Sequence, residues 1–123
     1  MNGKRNLNYY YEKEMQQFEF LRMPKFLFND KRFKVLSNDA KVLYSLMLDK
    51  MNLSIKNNII DKDNKIYICY TINDIIQDLN CSKDKAIKII GELGENGVGL
   101  IEKKKQGLGK PDIIYIKKLL NNC

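Results

Sequence analysis

The chain contains no histidine and no tryptophan, and only two prolines and three cysteines in 123 residues. Without histidine, a serine or cysteine nucleophile lacks its usual base, and the imidazole ligands common in zinc centres are missing. Cys69, Cys81 and Cys123 form no C-x-x-C pair. Their odd number argues against a disulfide framework, so reduced cytosolic thiols are expected. No apolar run approaches membrane-spanning length, and the polar, tyrosine-rich start has no apolar signal-peptide core. A soluble, cytoplasmic protein is therefore expected. Carboxylates are scattered rather than paired, and G-L-G-K at 107–110 lacks the spacing of a phosphate-binding P-loop. These absences point to a binding module rather than an enzyme, with no cofactor, no metal, no membrane and no small-molecule substrate.

What is abundant is lysine, and its distribution is uneven. The formal net charge is +7. Residues 1–36 and 82–123 each carry a balance of +4, whereas 37–81 carry −1. A basic balance suits a polyanion, because neutralising phosphates releases counterions and supplies sequence-independent affinity. Charge alone does not separate that reading from a lysine-rich surface that keeps a protein soluble.

Residues 1–16 are polar and without periodicity and read as a flexible arm; residues 17–120 read as one domain. From Gln17 the pattern Q-F-E-F-L alternates, placing Phe18 and Phe20 on one face of a short strand. Pro24 suits the first turn of a small helix carrying Phe26, Leu27 and Phe28. Aromatics this dense need burial, either in the domain's own core or against a second copy. Phe18 and Phe20 are thus candidate self-association residues, and a homodimer is expected. Ser37 is a good N-cap for a long helix with Leu43, Leu46, Met47 and Met51 at helical spacing, and Asp39 complements its dipole. Asp63-Asn64 is turn chemistry, and I-Y-I-C-Y at 66–70 reads as a strand.

The most informative stretch begins at Thr71, which opens a helix with Asp74 at N3, an aspartate variant of the capping box. Asn80-Cys81 ends that helix and Ser82 caps the next. So short a turn forces a steep crossing, as a helix-turn-helix requires. On a helical wheel of residues 83–97, Ala86, Ile90 and Leu93, with Ile87 and Ile89 at the margins, form the core face. Asp84, Lys85, Lys88, Glu92 and Glu95 lie opposite. The lysines fall in the N-terminal half, where recognition helices meet DNA. Ser82, Lys83, Asp84, Lys85 and Lys88 are the candidate contacts, with Lys85 or Lys88 able to pair guanine O6 and N7. A solvated helix face is the plain alternative.

A second basic element follows. Lys103, Lys104 and Lys105 finish one strand, Gly107 and Gly109 permit positive φ in the turn, Lys110-Pro111 starts the return, and Ile113–Ile116 form the second strand. Such a tip can approach a phosphate backbone or minor groove. Lys103, Lys104, Lys105, Gln106 and Lys110 are the candidate wing contacts. The fold class expected is α+β, a winged helix-turn-helix with a short N-terminal strand and helix extension, binding double-stranded DNA. A transcriptional repressor and a protein-interaction scaffold built on the same fold remain alternatives.

Four segments carry a further resemblance: L-S-N-D-A-K-V-L-Y-S-L-M-L-D-K at 36–50, D-K-D-N-K-I-Y-I at 61–68, C-S-K-D-K-A at 81–86, and G-L-I-E-K-K-K-Q-G-L-G-K-P-D-I-I-Y at 99–115. From about Phe18 to Lys117 the sequence resembles the N-terminal domain of RepA_N plasmid replication initiators of Gram-positive bacteria. Lys50 stands where arginine is more usual in that family, and Asp112 where asparagine is. The second change puts a negative charge in the wing. The resemblance implies binding to repeated origin sites, called iterons, to begin theta-type replication. It also implies that host replication proteins are met by a C-terminal domain outside this sequence, which then reads as a fragment of a longer initiator.

Overall fold

A computed structural model describes residues 7–12 and 19–119. Gln17 and Phe18 lie outside the described residues, as does most of the expected arm. Residues 19–21, the described remainder of the expected first strand, form no ladder, and Phe20 is 65% exposed. A strand needs a neighbour to satisfy its backbone groups, and none stands beside this segment among the described residues.

The short helix α1 (Phe26–Asn29) follows Pro24, whose carbonyl accepts from the Leu27 amide at 3.2 Å. Its aromatics divide. Phe26 meets Phe33 and Tyr44 edge-on, with ring centroids 5.3 and 6.0 Å away, while Phe28 is exposed beneath the Lys41 ammonium. The long helix α2 (Asn38–Lys56) starts on Ser37, whose hydroxyl accepts from the Ala40 amide. It buries Leu43, Tyr44 and Met47 completely or nearly so.

Helix α3 (Ile72–Leu79) carries both halves of its capping box. The Thr71 hydroxyl accepts from the Asp74 amide at 3.1 Å, and the Asp74 carboxylate accepts from the Thr71 amide at 2.8 Å. The Thr71 amide holds the Asp74 carboxyl below its ordinary pKa. Asn80 ends the helix in the left-handed region at φ 50°, a conformation asparagine tolerates. Ser82 then caps α4 (Lys83–Leu93), accepting from the Lys85 amide at 3.1 Å. Helix α4 packs on both α2 and α3, burying Ala86, Ile89, Ile90 and Leu93. Ile87, expected at the margin of that face, is instead 48% exposed.

Strands β1 (Ile101–Lys104) and β2 (Ile113–Ile116) pair antiparallel, with Ile101 opposite Ile116 and Lys104 opposite Ile113. The expected strand at 66–70 reduces to one bridge, Ile68 with Ile114, closed by two hydrogen bonds of 2.8 and 2.9 Å. Its neighbour Ile66 bridges back to Ile60 instead, so the chain turns away from β2 after one rung. The whole is a winged helix: a helical layer, a helix-turn-helix, and a small antiparallel sheet whose hairpin is the wing. Among the described residues no helix is long and apolar enough to cross a membrane.

Candidate nucleic-acid interface

Two elements form the candidate surface, and their relative placement is tightly determined. Helix α4 ends at Leu93, where Gly94 and the turn after it redirect the chain; Glu95, expected on the helix, lies beyond it. The Val98 amide donates to the Glu92 carbonyl, and the Gly97 and Gly99 amides donate to the Gly94 carbonyl, each at 2.9 Å. The turn is so close that a Cβ on Gly97 would stand 2.0 Å from the Glu92 carbonyl oxygen. Glycine there sets the distance between helix and wing.

The root of the wing is fastened at three points. Ile114 makes the bridge to Ile68. The Tyr44 hydroxyl, whose pKa burial pushes up to about 12, donates to the Lys117 carbonyl at 2.7 Å. The Tyr115 hydroxyl donates to Asp61 Oδ2 at 2.7 Å, while Asp61 Oδ1 accepts from the amides of Asp63 and Lys65. Asp61 thus organises its own turn, with Asn64 left-handed at φ 65°, and ties that turn to β2.

Lys103 and Ile101 share one face of β1, because side chains alternate along a strand. Together with Ile87, Ile90, Gly91, Gly94, Glu95 and Asn96 they line a groove of about 360 Å³ between α4 and the wing. Lys103 therefore faces the helix, whereas Lys104 takes the other face of the hairpin. At the tip, Lys105, Leu108 and Lys110 are exposed, with Gly107 and Gly109 at φ 127° and 78°. Gln106 is also exposed, but its amide donates to the Pro111 carbonyl at 3.1 Å and closes the loop on itself.

The candidate lysines of α4 separate by their partners. Lys85 Nζ lies 2.6 Å from Asp39, at the start of α2, and this hydrogen bond raises the ammonium above its ordinary pKa. Both side chains are about half exposed, so the pair adds little stability, but it directs Lys85 toward α2. Lys83 and Lys88 are exposed and make no ion pair among the described residues, as is true of Lys103, Lys104, Lys105 and Lys110. Ser82 serves as a cap and Asp84 is an exposed first-turn acid. Glu92 is withdrawn from the surface: its carboxylate accepts from the Ser37 amide at 2.7 Å and the Ser37 hydroxyl at 2.8 Å. One acid that would oppose a polyanion is thereby committed to the start of α2.

This architecture has close relatives. The family model for the N-terminus of replication initiator protein A matches residues 19–123. The chain belongs to the RepA_N family. A 41 kDa protein of Lactobacillus helveticus is 37% identical over 103 residues, covering 79% of this chain and 29% of that protein. The chain therefore spans under a third of that relative's length. Three solved structures are similar across 94% of the chain. One described as the N-terminal domain of a DNA-binding protein has 36% identity, a TM-score of 0.75 and 88% of its own length covered. A Rep–DNA complex has 36% identity, a TM-score of 0.75 and 87% covered. An MDR initiator has 37% identity, a TM-score of 0.72 and 90% covered.

The four segments that carry the RepA_N resemblance have distinct positions in the fold. Residues 36–50 form the cap and most of α2, 61–68 the turn that secures β2, 81–86 the start of α4, and 99–115 the wing. On α4 and the wing, two large apolar side chains are exposed that the sequence did not mark as contacts: Ile87, and Leu108, fully exposed at the wing tip. The isolated leucine between two glycines was the available signal for Leu108. No signal in the sequence distinguished Ile87 from a core isoleucine.

Proposed function

We propose that the chain binds double-stranded DNA at the iterons of a plasmid origin, with α4 in the major groove and the wing on the adjacent backbone or minor groove, and so serves the initiation of theta-type replication. One observation carries this reading: α4 and the wing flank a common groove, with Lys103 turned toward the helix and lysines without ion pairs on both elements. The similarity to a Rep–DNA complex supports it. Lys88 is the candidate for guanine, since Lys85 is held by Asp39; Lys83, Lys104, Lys105 and Lys110 are candidates for phosphate. Exposed Phe20 is the described part of a candidate self-contact, which sedimentation showing only monomer at high concentration would remove.

Footprinting across a plasmid origin tests the function. Protection of the repeats is expected. Protection confined to a promoter would favour a repressor. Failure to retain any duplex at low salt would contradict DNA binding and favour a protein-interaction scaffold.

A further inference from the structure

We propose that Ile87 is a specificity residue that rests on the 5-methyl group of a thymine in the major groove. This deepens the DNA-binding reading and rests on it.

Ile87 is 48% exposed, whereas Ala86, Ile89, Ile90 and Leu93 supply the buried face of α4. Single exposed apolar side chains are ordinary on protein surfaces, so exposure alone carries no weight. The position does. Ile87 lies in the N-terminal half of α4, one turn after Lys83 and beside Lys88, both exposed and without ion pairs among the described residues. One turn further on is Gly91, where a Cβ would meet no heavy atom within 4 Å. The surface next to Ile87 is therefore open, and the side chain borders the groove toward Lys103. An exposed β-branched residue followed one turn later by glycine is a poor choice for helix stability, and the buried face does not require either.

An apolar side chain next to Lys83 and Lys88, with Asp84 the acid in the same turn, matches one feature of a major-groove edge. Among the four bases only thymine presents an apolar group there, its C5-methyl. The lysines would hold phosphates or a guanine on either side, leaving the isoleucine over the methyl group. Glu95, at the far end of the same groove, favours placing the phosphates on the lysine side.

The test is a deoxyuridine scan of the footprinted repeat, replacing each thymine singly in a duplex and titrating it with the full chain. Uracil removes only the methyl group and leaves the hydrogen-bonding edge intact. Wild-type protein is expected to lose about 4-fold in affinity at one thymine, the worth of one buried methyl group. Ile87→Ala is expected to bind the thymine duplex about that much more weakly and to be indifferent to uracil at that position. A purely structural role for Ile87 would weaken thymine and uracil duplexes alike and leave the wild-type uracil penalty undiminished in the variant, which overturns the proposal. A flat scan with wild-type protein at full affinity overturns it too, while leaving DNA binding intact. Absence of binding to any duplex would remove both.

Discussion

Asp61 shows how one side chain can govern the seating of the wing from 54 residues away. Its carboxylate accepts from Tyr115, Asp63 and Lys65, and the Tyr115 hydroxyl is the main cause of a pKa below the ordinary value. The same bond pushes the Tyr115 phenol up to about 12. A carboxyl group depressed in the folded state stabilises it above its unfolded pKa of about 3.9, and that contribution fades as pH falls through the folded value. Asp61→Ala is therefore expected to melt below wild type at neutral pH, with the gap narrowing in acid below about pH 4. Thermal melts across pH check this; a gap of constant size down to the acid limit would contradict it. The sequence marked this region only as a turn, because a hydrogen bond to a strand so distant leaves no local trace. The same holds for Lys85 and Asp39, and for Glu92 and Ser37. Local pattern gave Ser37 and Asp39 to the start of α2 and Lys85 and Glu92 to the outer face of α4, and only tertiary packing reveals that they pair.

At the scale of elements, local chemistry was more informative. Ser37, Thr71 with Asp74, and Ser82 all cap the helices they were expected to start, because a cap depends on residues within one turn. The wing hairpin likewise followed from its glycines and its flanking strands. What local reading missed were features requiring a neighbour: the absent ladder at 19–21 and the single rung at Ile68. The wheel over 83–97 also ran past the end of α4, which the glycine break sets at Leu93. The two glycines flanking that end make opposite predictions. Gly97→Ala forces a methyl group against the Glu92 carbonyl and is expected to cost about 1–3 kcal/mol, as overpacking does. Gly91→Ala places its methyl in open space within the helix and is expected to gain about 0.5–1 kcal/mol. Urea denaturation of the two variants decides; a Gly97→Ala variant as stable as wild type, or a destabilised Gly91→Ala, would contradict the respective prediction.

For the whole molecule, residues 82–123, which hold α4 and the wing, carry a balance of +4, as do residues 1–36, while the middle of the sequence stays nearly neutral. The fold and family were legible because caps, hairpin and family segments agree along the chain. The division of labour among the lysines was not, since it depends on which ones find acidic partners in space. The measurement that tests the central claim most directly is duplex affinity as a function of salt, for wild type and for Lys83→Ala/Lys88→Ala and Lys104→Ala/Lys105→Ala. Each pair is expected to weaken binding and to flatten the log–log slope by about 0.9 for every phosphate no longer neutralised. Equal affinity and slope in wild type and both interface variants would contradict the account.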